Sequence, residues 1–196
     1  KTEVAAAGEH GLTESFSYPR LDITRENFTK LAMNLYNKIY PNKEIPALET
    51  KFTDCRDDPN VNNAAALGIV TGYEDGTFRP NQNISRAQFA VMLYRYLKLD
   101  ENKYADAALP FADLDTIPEY AIPAVKALYT EGVISGAEKN GRLYFNPNNA
   151  LTRAQAAAMI GRTQAKGYAL ANLTFTDSGK IPGYADYYIR TMAAQG

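Results

Sequence analysis

The sequence predicts a mainly α-helical protein assembled from repeated helix–loop–helix units, with at most short strands. Three observations carry this. The phrase FTDCRDDPNVNNAAALGIVTGYEDGTFRPNQNISRAQFAVMLYRYLK at 52–98 is matched in order by the stretch that runs from Phe111 to Arg162. Two independent spacings recur with it. Seven residues separate Val4 from Gly11, Val61 from Gly68, Val125 from Gly132 and Ile189 from Gly196, and four separate Pro19 from Ile23, Pro80 from Ile84 and Pro147 from Leu151. Finally, Thr24, Ser85 and Thr152 each precede a segment of helix-forming sequence. Self-similarity at a fixed period is the signature of a chain built from one supersecondary unit used several times.

Within a unit the first helix is short and rich in small residues, as in Val61 to Leu67 and Tyr120 to Glu131. Its closing glycine stands where a helix C-terminus needs left-handed dihedrals. The loop GYEDGTFRP at 72–80 carries an Asp-Gly turn and a proline, and leaves room for a short strand around Phe78 or Phe145. The second helix opens at its Thr or Ser cap. Gln88 and Gln155 three residues on complete a capping box in repeats two and three, where repeat one has Asn27. Phe28, Leu31, Ala32, Leu35, Tyr36 and Ile39 in repeat one, and Phe89, Met92, Leu93, Tyr96 and Leu97 in repeat two, then recur at helical spacing as core positions.

The units are repeat one at 1–40, which begins inside its first helix, repeat two at 52–98, repeat three at 111–165, and the first half of a further repeat at 174–196. Linkers fall at 41–51, 99–110 and 166–174. Lys1 at the start, and an end on the helix-closing Gly196, point to a piece of a longer protein.

Composition narrows the function. With 21 Lys and Arg against 22 Asp and Glu, the chain has no general electrostatic pull toward nucleic acid or anionic lipid. No apolar run approaches the roughly 18 to 20 residues that span a bilayer, so membrane insertion is not expected. A single cysteine, Cys55, allows no intrachain disulfide and no cysteine metal cluster, and a single histidine, His10, allows neither a His-paired nucleophile nor a multi-His zinc site. The acidic run at 54–60 lacks the spacing of a calcium loop and reads as a solvated turn. Scattered Asp and Glu are a poor basis for a carboxylate-pair glycosidase. The sequence therefore predicts no enzyme, no metal and no cofactor.

The Phe-Thr-Asp or Phe-Ala-Asp openings at 52–54, 111–113 and 175–177, the first helix ending in Gly-Ile or Gly-Val, and the Ile-Thr-Arg, Ile-Ser-Arg or Leu-Thr-Arg that begins the second helix together resemble S-layer homology repeats. The resemblance covers nearly the whole chain. It implies a pseudo-threefold helical spindle, with grooves between repeats that bind secondary cell-wall polymers, often ones bearing pyruvate ketals on an amino sugar. It further implies attachment to a larger exported protein and a place outside the cell on a bacterial surface. The family's signature Glu is replaced here by Asn27, Gln88 and Gln155.

Arg25, Arg86 and Arg153 fall at the first helical position after the cap, where free backbone N–H groups and the helix dipole favour an anion. A guanidinium there takes a carboxylate through two parallel hydrogen bonds; the alternative is that each arginine pairs with an Asp of a neighbouring repeat. Gly72 and Gly136 flank loops whose backbone could approach a ligand closely. Repeat one lacks such a loop, which ranks Arg86 and Arg153 above Arg25 as ligand contacts. Asp54, Asp113 and Asp177 are further ligand candidates, with turn or helix-start residues as the plainer alternative. Lys139 and Arg142 add positive charge to the longer loop of repeat three. Two functions follow: an anchor that binds acidic cell-wall polysaccharide, or a protein-interaction or self-assembly module of an exported surface protein. Fourteen tyrosines suit either.

Overall fold

The computed structural model describes residues 21–49 and 51–165. The first half of repeat one with His10, the linker at 166–174, and the unit at 174–196 with Asp177 lie outside the described residues. The described chain is mainly α-helical, with five α-helices: α1 (Arg25–Ile39), α2 (Pro59–Ala66), α3 (Arg86–Leu97), α4 (Ile122–Thr130) and α5 (Arg153–Ala165). Single 3-10 turns at Glu101–Tyr104, Leu114–Thr116 and Glu119–Ala121 and one two-stranded hairpin complete the described elements.

Local chemistry sets the helix ends. Ser85 accepts a hydrogen bond from the Gln88 N–H at 3.2 Å while the Gln88 amide oxygen accepts from the Ser85 N–H at 3.1 Å, and Thr152 with Gln155 repeats the pair at 3.3 and 3.0 Å. Thr24 accepts from the Asn27 N–H at 3.2 Å, but the shorter Asn27 side chain bonds to the Thr24 hydroxyl instead of returning to its N–H. At the start of α2 the acidic turn has a definite task. Asp58 accepts from the N–H groups of Asn60 and Val61 at 2.8 and 3.2 Å, with Pro59 behind it in the first helical position. The short helices end as their glycines require: Gly68 has φ +72° and Gly132 φ +67°. Each lets the next residue's N–H reach back to a helix carbonyl, Ile69 to Ala64 at 2.9 Å and Val133 to Leu128 at 2.8 Å.

The expected short strand forms in repeat three. β1 (Ala137–Lys139) and β2 (Arg142–Tyr144) pair antiparallel, Glu138 opposite Leu143, around Asn140 and Gly141. Both turn residues have positive φ, 53° and 72°, as a two-residue turn matched to strand twist demands.

The helices pair between repeats. α1 of repeat one packs on α2 of repeat two, and α3 of repeat two packs on α4 of repeat three. The short residues Ala64, Ala124 and Ala127 let these helices come close, and all are fully buried or nearly so. Phe28 and Phe89 meet edge to face at 5.2 Å, and one continuous core draws on Ile23, Val61, Phe78, Phe89, Val125, Phe145 and Ile160. The 99–110 linker is packed: Tyr104 is buried, and its hydroxyl bonds to Glu131 at 2.5 Å. Cys55 is half-buried against the core, and burial together with the neighbouring Asp54 charge pushes its thiol up to about 11.

At the centre the three pre-helix segments close on one another. Ile23 N–H donates to the Leu151 carbonyl at 2.9 Å, Leu151 N–H to Ile84 at 3.0 Å, and Ile84 N–H to Ile23 at 2.9 Å. All three residues are completely buried. This is the pseudo-threefold arrangement that the family resemblance implies, and the constant four-residue step from proline is its sequence trace.

Candidate functional site

The central ring fixes where each arginine points. Immediately after it, the Arg25 N–H donates to Gln82 at 2.9 Å, Arg86 to Asn149 at 2.9 Å, and Arg153 to Leu21 at 2.8 Å. Each second helix thus starts against the loop of another repeat: repeat one on two, two on three, and three on one. The ranking drawn from the sequence paired each arginine with its own loop, and that pairing is corrected here. The glycine-flanked loops at 72–80 and 136–145 face Arg25 and Arg86, whereas Arg153 faces repeat one.

Arg25 and Arg86 both donate to carbonyls of the facing loop. Arg25 donates from Nε to the Phe78 carbonyl and from Nη2 to the Thr71 carbonyl, both at 2.7 Å, and lies over the Phe78 ring at 4.4 Å. It is 5% exposed, and burial lowers its pKa although the neighbouring Tyr73 opposes the shift. Arg86 repeats the pattern one unit on, donating to the Ser135 carbonyl and lying over Phe145 at 5.3 Å. Guanidinium on carbonyl and aromatic face is an arrangement that Lys cannot reproduce.

Asp54 and Asp113 hold the same two loops from below. Asp54 accepts from the N–H groups of Phe78 and Arg79 at 2.8 and 2.7 Å, and Asp113 from Phe145 and Asn146 at 2.8 and 2.7 Å. Arg79 and Asn146 have φ of 59° and 57°, so each carboxylate pins a left-handed turn. Desolvation opposes ionisation of Asp54, but the two backbone donors outweigh it and hold its pKa below the usual carboxylate range. Neither Asp lines a groove. Gly72 and Gly136 do. Their smallness serves the inner side of the loop as well, since a Cβ would lie 2.3 Å from the Phe52 ring at Gly72 and 2.4 Å from Leu143 at Gly136.

Among the described residues two grooves are built from equivalent positions. Groove one, about 210 Å³, is lined by Arg25, Thr71, Gly72, Tyr73, Gln88, Val91, Met92, Arg95 and Tyr120. Groove two, about 430 Å³, places Arg86, Ser135, Gly136, Ala137, Gln155, Ala158, Met159 and Arg162 in the corresponding order, with Phe145, Asn146 and Asn149 beside them. Each groove carries two guanidinium groups on an otherwise polar and apolar lining that contains no carboxylate among the described residues. Lys139 and Arg142 stand opposite each other on the hairpin and line neither groove.

Arg95, Arg162, Gln88, Gln155 and Tyr120 were not singled out as site residues from the sequence. A signal for the second arginine was present: Arg95 follows Arg86 by nine residues and Arg162 follows Arg153 by nine, whereas repeat one has Asn34 at that step. The glutamines serve twice, capping their helices and facing the groove, where Gln88 Nε2 lies 3.3 Å from the Tyr73 hydroxyl.

Residues 52–90 and 110–157 match the family model described as the S-layer homology domain. Among similar proteins, an amylopullulanase of Thermoanaerobacterium thermosulfurigenes is 31% identical over 137 residues, covering 67% of this chain and 7% of that protein. A cellulosome-anchoring protein of Acetivibrio thermocellus is 32% identical over 114 residues, 56% of this chain and 24% of that protein. A surface-layer 125 kDa protein of Lysinibacillus sphaericus is 29% identical over 120 residues, 59% of this chain and 10% of that protein. The chain thus spans a small part of the length of each.

Proposed function

Because residues 52–90 and 110–157 are S-layer homology repeats, we propose that the chain is a non-covalent anchor that holds a larger exported protein on the outside of a bacterial cell wall. The grooves between repeats bind acidic secondary wall polysaccharide, pyruvylated sugars included. Relatives named as surface-layer and cellulosome-anchoring proteins support the location and the anchoring role. The amylopullulanase shares only a stretch making up 7% of its length, so its name carries no reaction to this chain. The observation that carries the ligand class is the repeated groove: two guanidinium groups, a capping glutamine and a glycine-bearing loop at matching positions in two places. A guanidinium fork at the groove wall suits the carboxylate of an acidic sugar.

In groove two Arg86 and Arg162 share this task; Arg25, with two donors already on carbonyls, contributes mainly to holding groove one. Sedimentation of the chain with purified wall polymer, before and after removal of its acidic substituents, tests the reading. Binding is expected to weaken on removal and to fall with salt. Arg86→Ala, checked for unaltered thermal unfolding, is expected to lose about ten- to a hundredfold in affinity, the usual cost of a charge-assisted hydrogen bond. Equal binding to both polymers would refute the proposal. Concentration-dependent self-association without polymer binding would favour an assembly module instead.

A further inference from the structure

We infer that groove one recognises a single acidic sugar residue through Arg95 and Tyr120, two side chains outside the repeat's signature, with Arg25 as a positioning residue. This rests on the wall-polysaccharide reading and assigns the work within the groove. Arg25 is 5% exposed and occupied by the Phe78 and Thr71 carbonyls, so it shapes the wall of the groove. Arg95 is exposed, on the outer turn of α3. Its Nη1 donates to the Thr71 hydroxyl at 3.3 Å, a long bond that aims the guanidinium without consuming its fork, and it makes no ion pair among the described residues. Thr71 thus links the two arginines, its carbonyl to Arg25 and its hydroxyl to Arg95.

Tyr120 is 60% exposed, a large aromatic surface left at the groove mouth. It is held there firmly: Ala121 beside it is completely buried, and the Ala121 N–H closes a turn on the Pro118 carbonyl at 2.8 Å. A flat aromatic face at the mouth fits the C–H face of a pyranose ring, and the guanidinium fork fits a carboxylate carried on that ring. Arg25 comes from repeat one, Arg95 from repeat two and Tyr120 from repeat three, so the site is complete only when three units are assembled. In groove two Ala137 stands where groove one has Tyr73, which gives the two sites different walls.

The test is an NMR titration of the full chain with a pyruvate-ketal-bearing N-acetylhexosamine glycoside and with its ketal-free parent. The Gln88 side-chain amide reports groove one and that of Gln155 reports groove two. The parent chain is expected to prefer the acidic sugar at Gln88. Arg95→Ala should lower affinity for the acidic sugar about ten- to a hundredfold and leave the neutral one nearly unchanged, removing the preference at Gln88 while Gln155 responds as before. Tyr120→Ala should weaken both sugars alike, about three- to tenfold. If groove one binds the acidic sugar and Arg95→Ala keeps the preference, or Tyr120→Ala changes nothing, this assignment is overturned while the wall-polysaccharide reading stands. If neither amide responds to either sugar in the parent chain, both fall.

Discussion

Asp54 and Asp113 show one residue type set to one task twice: a carboxylate on two consecutive backbone N–H groups at the foot of a loop. Phe145, one of the two residues held by Asp113, is completely buried, so removing the acceptor strands a donor where water enters poorly. Asp113→Ala is expected to cost about 1 to 3 kcal/mol in urea unfolding, and Asp113→Asn less, because one amide oxygen remains as an acceptor. Asp54 adds a pH dependence with a defined sign. Its folded pKa lies below its unfolded value of about 3.9. Its contribution is therefore present above that value and is lost as pH falls through the folded pKa. Between neutral pH and about pH 5 the slope from this group should be flat; below about pH 4 the parent should lose stability faster than Asp54→Asn, as read by unfolding midpoints. Caps and closing glycines were legible in the sequence, because Ser85 with Gln88 and Gly68 act within four residues of themselves. The role of Asp54 was not, because its partners lie 24 and 25 residues away.

The loop in repeat three separates two reasons for using glycine. Gly136 has ordinary dihedrals but no room, with Leu143 and the Phe111 ring within 3 Å of where a Cβ would stand. Gly141 has open space around it but φ +72°. Gly136→Ala is expected to cost about 1 to 3 kcal/mol through overpacking, and Gly141→Ala about 1 kcal/mol through backbone strain. Phe111 ring resonances should shift in the first variant and stay put in the second, and the reverse pattern would exchange the two explanations. Helical periodicity showed which face of α1 and α3 is apolar, but not that the partner helix belongs to the next repeat. A buried stripe specifies a core and is silent about which helix of several equivalent ones covers it. The same gap made Arg86 seem to belong to its own loop, and it left Arg95 and Tyr120 unnoticed, since a groove lining depends on how units dock.

Ile23, Ile84 and Leu151 bring the three repeats to one point, and the surrounding core has no internal division. A chain of separate units linked by tethers would unfold in steps; a shared core predicts one transition. Far-ultraviolet circular dichroism and tyrosine fluorescence are expected to report the same midpoint in urea, and two resolved midpoints would contradict the shared core. The pseudo-threefold form was foreseeable only through resemblance to a family, because spacing shows that units recur and cannot say whether they line up or close. The central bonds decide that question. Stacked repeats can be lengthened, since each end offers another unit a vacant face. Here every member of the triangle gives one N–H and takes one N–H, so its valence is filled at three. A fourth copy of the motif finds no free N–H there and must join another triangle or displace a member of this one. Counting motifs along any longer chain of this kind in threes therefore counts its closed triangles.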